Sequence, residues 1–227
     1  IRDRYHAHTQ RLALMLQNQT EEEFADSRFQ VLSELTRLRQ LCCDPALVYE
    51  NYEGGSAKLD LCIELIQSAV ESGHKILLFS QFTSMIEILT ARLQEESISC
   101  FVLQGSTKKE QRAQMVEQFN RDDTSVFCIS LKAGGTGLNL TGADIVIHYD
   151  PWWNVAVENQ ATDRAHRIGQ KNVVTVYKLI AKGTIEEKII KLQQMKKELA
   201  EEILSGDEIK TASFQREELL ELLEERF

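Results

Sequence analysis

The spacing of apolar residues changes several times along the chain, and each change marks an element. From Tyr5 to Asn18 the residues permit a helix with a modest stripe of Leu12, Met15 and Leu16. From Phe29 to Leu41 the stripe is clearer, because Leu32, Leu35, Leu38 and Leu41 recur near the spacing of one helix face. Asp44-Pro45 ends that helix, since the residue before a proline is pushed toward extended backbone. Glu53-Gly54-Gly55-Ser56 reads as a flexible connection and places a boundary there, with a helical element over residues 1–53.

The next region, residues 54–183, alternates short apolar runs with helical stripes. Strands are predicted at Lys75 to Ser80, Cys100 to Leu103, Ser125 to Ile129, Asp144 to His148 and Val173 to Leu179. Helices are predicted at Ser84 to Glu96, where Met85, Ile88, Leu89 and Leu93 share a face, and at Lys108 to Asn120. Such alternation makes an α/β fold with an open, mainly parallel sheet covered on both faces. Ligands of such sheets gather at the carboxyl ends of the strands, which directs attention to the loops Ser130 to Gly142 and Pro151 to Asn154. A C-terminal extension over residues 184–227 follows. Ile185, Ile189, Leu192, Leu199 and Ile203 give a long helix an apolar face; Thr184 with Glu187 suits a capping box at its start and Gly206 a stop at its end. Phe214 to Phe227 reads as an acidic helical segment.

A chain of 227 residues, 43% of them hydrophobic, is long enough for one substantial core and a smaller helical addition. Its 35 acidic against 26 basic residues, a formal charge of -9, argue against a protein that wraps nucleic acid all round, while leaving room for a local cationic face. Cys42, Cys43, Cys62, Cys100 and Cys128 form no CxxC pair and lie among apolar residues, so buried thiols are expected, with no metal site. The opening Ile1-Arg2-Asp3-Arg4 has neither an initiator Met nor a signal-peptide pattern, and no apolar run is long enough to span a bilayer. The chain reads as a segment of a longer polypeptide with no membrane partner.

Two segments carry candidate chemistry. In Lys132-Ala133-Gly134-Gly135-Thr136-Gly137-Leu138-Asn139, glycines let main-chain N–H groups approach an anion and Thr136 adds a hydroxyl donor. The same composition also suits an ordinary tight turn, and the segment lacks GxxxxGK[ST]. In Asp163-Arg164-Ala165-His166-Arg167-Ile168-Gly169-Gln170, a helix from Val155 to Arg167 would put Arg164 and Arg167 on one face. Two guanidinium groups there suit the spread charge of a phosphoryl-transfer transition state, or equally pair with carboxylates. Trp152 and Trp153 suit packing better than base stacking, because adjacent residues cannot both face one strand. His166 has no companions at metal-ligand spacing.

Together these segments resemble the Swi2/Snf2 family of DNA-dependent ATPases. Asp163 to Gln170 is similar to the family's arginine-finger motif, and Ser130 to Leu140 to the glycine-rich motif before it. The order continues with Leu77-Leu78-Phe79-Ser80-Gln81-Phe82, Gly105-Ser106-Thr107 with Arg112, and Asp150-Pro151-Trp152-Trp153-Asn154; Leu38 to Pro45 resembles the helical protrusion preceding the second lobe. The resemblance implies a three-layer RecA-like C-terminal lobe with a helical N-terminal protrusion and a C-terminal helical brace. It makes Arg164 and Arg167 the catalytic arginine fingers, with Gly135, Thr136, Gly137, Gln160, Asp163 and Gln170 at the nucleotide interface and switch surface. Ser80, Gln81, Gly105, Ser106, Thr107, Lys132 and Gly134 become candidates for contact with the DNA backbone, which hydroxyls, amides and main-chain donors grip without reading bases. Ser106 and Thr107 also suit capping of the next helix.

Neither a strand-GxxxxGK[ST]-helix unit nor a DExH-like acidic box is in the sequence. The resemblance therefore implies that ATP and Mg2+ are held mainly by a first RecA-like lobe N-terminal to Ile1, with nothing bound tightly by this chain alone. The expected whole is an ATP-dependent translocase on double-stranded DNA that remodels an unidentified protein partner, cytoplasmic and DNA-associated if bacterial, nuclear if eukaryotic. Two other classes stay open. One is a protein-interaction or regulatory scaffold with no nucleotide role, using the acidic C-terminal helix; the other, a Rossmann-like enzyme, lacks the early GxGxxG and the distal ribose-binding acid.

Overall fold

The computed structural model describes residues 2–131, 133, 137–167, 169–203, 219, 220 and 223. Lys132, Gly134, Gly135, Thr136, Ile168, Gly206 and nearly all of the Phe214 to Phe227 segment, for which expectations were stated, lie outside the described residues. The contacts divide the chain into two compact units, one made of residues 1–53 and 181–227, the other of residues 54–180.

In the first unit, α1 spans Arg2–Gln17, α2 spans Glu21–Cys43, a single 3-10 turn covers Pro45–Leu47, and α7 covers Ile185–Ile203. α2 begins eight residues before the apolar stripe because Thr20 and Glu23 form a capping box, the Thr20 hydroxyl accepting from the Glu23 amide and the Glu23 carboxylate from the Thr20 amide. Its buried stripe is Val31, Leu35, Leu38 and Cys42; Leu32, expected on that face, is 52% exposed, since it is turned about 100° from Val31 around the helix. Asp44 closes α2 and accepts from the Ala46 amide, which starts the 3-10 turn. The Tyr5 hydroxyl on α1 accepts from the Ile185 amide at 2.6 Å and so ties α1 to the start of α7. At that start, the Thr184 hydroxyl accepts from the Glu186 amide and Glu187 accepts from Gly183, a variant of the expected capping box displaced by one residue.

The second unit holds α3 (Ala57–Glu71), β1 (Ile76–Ser80), α4 (Thr83–Glu95), β2 (Cys100–Leu103), α5 (Lys109–Arg121), β3 (Val126–Ser130), β4 (Ile145–His148), α6 (Val155–Thr162) and β5 (Thr175–Lys178). The five strands form one parallel sheet in the order β2-β3-β1-β4-β5. Every residue of β1, β3 and β4 is buried, as apolar strands covered on both faces must be, whereas β5 at the edge is exposed throughout. α3 is an addition to the sequence reading, which passed from the glycine connection straight to β1. Its Ser56 hydroxyl accepts from the Leu59 amide, and Cys62, Ile63, Ile66 and Ala69 form its buried stripe. Because β3 and β4 flank β1, the strand order runs outward to either side of β1, and the ends of β1 and β3 finish level with Ser80 beside Ser130. Sheets of this kind bind ligands at such a point.

Candidate functional site

At the carboxyl end of β1, Ser80 is fully buried, and its hydroxyl donates to Asp150 Oδ1 at 2.5 Å and accepts from the Phe82 amide at 3.2 Å. The Gln81 amide reaches the same Asp150 carboxylate at 3.3 and 3.4 Å. Asp150, itself 1% exposed at the end of β4, therefore locks the two neighbouring strand ends together. The Ser80 hydroxyl serves this lock and not the surface.

After β2, Gly105 and Ser106 are exposed and Thr107 is half-buried. The Thr107 hydroxyl accepts from the Gln104 amide at 3.1 Å, closing the loop on its own preceding residue. It does not cap α5, whose first cap is Lys108 and has no side-chain cap bond. Arg112, on the first turns of α5, gathers this loop from below. Its guanidinium donates to the carbonyls of Thr107 at 2.8 Å, Gly105 at 3.0 Å, Gln104 at 3.3 Å and Ala133 at 3.4 Å. A planar fork with several fixed donors suits such a set of main-chain acceptors. The last of these bonds joins the β2 loop to the start of the glycine-rich segment.

That segment is held at each described point. The Ala133 amide donates to the Ser130 hydroxyl at 3.4 Å. Gly137 adopts φ +45, a conformation that L side chains rarely take, and its carbonyl accepts from Arg167 at 3.2 Å. The Leu140 amide donates to the Arg164 carbonyl at 3.0 Å. Asn120 grips both the Asn139 carbonyl and the Gly142 amide, and a Cβ on Gly142 would stand 3.0 Å from the Asn120 backbone.

The arginine segment departs from the single helix expected over Val155 to Arg167. α6 ends at Thr162, with Asp163 as its C-cap and exposed. Tighter bonds follow, Arg164 to the Ala161 carbonyl and Ala165 to the Thr162 carbonyl, and the Arg164 carbonyl accepts from the Leu140 amide. The two arginines consequently differ. Arg167 is exposed, with Nε on the Asp163 carbonyl at 3.2 Å and NH1 on Gly137. Arg164 is 2% exposed, and among the described residues its Nε has no hydrogen-bond partner. Burial and then the charge of Arg167 act against its protonated form, with Asp163 opposing them. Gln170 completes the arrangement, donating to the Ala143 carbonyl at 2.7 Å and the Ala165 carbonyl at 3.1 Å. Gln160 is exposed on α6. A groove of about 630 Å³ runs beside Arg167, lined also by His166, Gln170, Asn172, Val173 and Val174.

The structure thus joins Arg164, Arg167, Gly137 and Gln170 around one loop, and brings Gly105 and Thr107 to the same loop through Arg112. Trp152 packs against the hydrophobic core. Among the described residues no group of three or more His, Cys, Asp or Glu is arranged to hold a metal ion, and no helix is long and apolar enough to cross a membrane. Sequence reasoning named Asp150 only as part of a motif and missed Glu158, Asn120 and Lys178 as organisers of these loops.

Residues 57–169 match the family model described as helicase conserved C-terminal domain. A Mycoplasma pneumoniae protein named as an uncharacterized ATP-dependent helicase is 45% identical over 202 residues, 87% of this chain but 19% of that protein's length. The structure titled as the Sulfolobus solfataricus SWI2/SNF2 ATPase core in complex with dsDNA has a TM-score of 0.74 and 33% identity, covering 89% of this chain and 43% of that one. The Sulfolobus solfataricus SWI2/SNF2 ATPase C-terminal domain has a TM-score of 0.72 and 32% identity, covering 90% of this chain and 84% of that one. On the combined weight of sheet order, ordered motifs and these similarities, the chain belongs to the Swi2/Snf2 ATPase family and has the fold of its C-terminal RecA-like lobe.

Proposed function

We propose that this chain is the second motor lobe of an ATP-dependent translocase on double-stranded DNA, and that Arg164 and Arg167 complete a nucleotide site built mainly by another part of the same polypeptide. The observation that carries this reading is the buried Arg164 guanidinium, whose Nε has no partner among the described residues and whose nearest charged neighbours include a second arginine. Two adjacent cations with spare donors fit an anion such as a phosphate chain. The described residues offer no comparable fit for Mg2+, so metal and most phosphate contacts fall to the partner lobe. ATP with Mg2+ supplies the phosphoryl group whose transfer drives the cycle. Lobe closure would carry Arg164 and Arg167 to that group, while the loop held by Arg112 moves with the glycine-rich segment.

For DNA, Gly105 and Ser106 are the exposed members of the candidate set among the described residues, and Lys132 and Gly134 belong to the glycine-rich segment. Gln81, half-buried just after β1, is the neighbouring candidate. Ser80 acts beneath, by holding Asp150.

ATP turnover by the full-length protein and by this chain, each with and without duplex DNA, tests the reading. Turnover is expected only in the full-length protein and only strongly with DNA, and replacing Arg164 or Arg167 by alanine should lower it by a factor on the order of 10³ or more. Turnover by the isolated chain, or full DNA-stimulated turnover in the double alanine variant, would sink it.

A further inference from the structure

The corner between β4 and α6 contains an ion pair, its carboxylate buried and its ammonium exposed, that the reading above leaves unused. Glu158 on α6 is 1% exposed, although a carboxylate taken out of water costs several kcal/mol unless its oxygens are served. Both are served. Oε2 lies 2.6 Å from the ammonium of Lys178 on β5, and Oε1 accepts from the main-chain amide of Trp152 at 2.6 Å. One turn further along the same helix face, the Thr162 hydroxyl meets Nε2 of buried His148 on β4 at 3.0 Å. The apolar contribution of this stretch is small-sided, with Ala161 and Ala165 in the core. Small side chains let a short helix slide; directional bonds to two strands and a loop do not.

We propose that Glu158 is a positioning residue: through Lys178 and the Trp152 amide it fixes the axial place of α6, and through α6 the place of Arg164 and Arg167. The proposal rests on the arginine reading above. A well-packed apolar pair in place of a buried ion pair is often as stable or more so, so stability alone gives no reason for a buried charge here. Fixed register does, because α6 ends two residues before Arg164.

The test uses DNA-stimulated ATP turnover by the full-length protein. In Glu158→Gln the amide oxygen still accepts from Trp152, but Lys178 loses its counter-charge. kcat is expected to fall roughly a hundredfold, the loss that a displacement of about 1 Å can impose, while KM for ATP stays nearly constant because only transition-state contacts are lost. Lys178→Met should behave alike and Lys178→Arg, which keeps the pair, should retain turnover. Lys178→Met alone leaves the buried Glu158 carboxylate without its counter-charge, so the double variant Glu158→Gln/Lys178→Met should regain the thermal stability lost in Lys178→Met yet keep the low kcat.

If the double variant regains both stability and kcat, or if kcat per folded molecule never falls, the role of Glu158 is confined to folding and the proposal is overturned. Where Glu158→Gln fails to fold, Glu158→Asp, which keeps the charge and shortens the reach, decides by the same criterion. Arg167→Ala in the same assay separates the two levels. If it too leaves turnover intact, the arginine reading has failed; if it abolishes turnover while the Glu158 variants do not, only the positioning role has.

Discussion

Two flanks of the site hold their polar groups in opposite ways. On the β2–β3 flank, Arg112 sits half-buried with its donors spread over four main-chain carbonyls. On the β4–α6 flank, two buried nitrogens, Arg164 Nε and His148 Nδ1, have no hydrogen-bond partner among the described residues. A satisfied guanidinium stiffens what it touches; an unsatisfied buried one stores a cost that an incoming anion relieves. On the function proposed above, the first flank is finished in the isolated chain and the second is finished by an incoming anion.

Removing Arg112 should have the largest effect on the chain itself. Hydrogen bonds to a charged donor each contribute up to a few kcal/mol, discounted here because water reaches the loop, so Arg112→Ala is expected to destabilise by about 3 kcal/mol in urea unfolding. Arg112→Lys should recover less than half of that, since an ammonium cannot reach the acceptors of both loops at once. A loss below about 0.5 kcal/mol, the usual size for a surface substitution, would mean that the β2–β3 flank is no better tied than the other.

The unequal flanks also explain what could be read from the sequence. β1, β3 and β4 were legible because strands buried on both faces are continuous apolar runs, and β5 because Thr175, Val176 and Tyr177 favour strands even when exposed. Arg164, Arg167 and Gln170 were legible as a local cluster. α3 was missed because the glycines before it drew attention away from Ser56 and the stripe behind it. The end of α6 was misplaced because the residues after it bond to a loop 24 residues earlier, Leu140 to the Arg164 carbonyl, which leaves no local signal. Long-range pairs leave no periodic trace: Ser80 with Asp150 is 70 residues apart in sequence, and Glu158 with Lys178 is 20.

His148 gives the second flank a pH signature. It is stacked on Phe79 with ring centroids 5.6 Å apart, and burial, with Lys178 adding to it and Glu158 opposing, lowers its pKa from 6.5 to about 4. As pH falls below 6.5, the unfolded chain takes up a proton that the folded chain refuses until about pH 4, so stability drops across that window and not above it. The size is on the order of 3 kcal/mol. His148→Gln, which cannot titrate, should remove this share of the acid slope in urea unfolding measured from pH 7 to pH 4. An unchanged slope would mean that His148 is protonated inside the fold, and that the flank is better solvated than its geometry implies.

The smallest effect is the one that discriminates best between the flanks. If Arg164 is buried without adequate partners, replacing it by methionine, similar in reach and uncharged, should raise the stability of the isolated chain by about 1 kcal/mol, because a desolvated charge is exchanged for packing. The same substitution should abolish DNA-stimulated turnover in the full-length protein, which is the usual opposition between stability and activity at a site that is strained until it binds. Inorganic phosphate or sulfate should then stabilise the unsubstituted chain more than Arg164→Met, since an anion that binds the folded state at the two guanidinium groups adds to its stability by mass action. A loss of 2 kcal/mol or more on Arg164→Met, the size expected for a packed and hydrogen-bonded side chain, would place Arg164 with Arg112 as a staple of the fold. In that case the β4–α6 flank is as complete as its neighbour, and Arg167 alone remains to meet the phosphate.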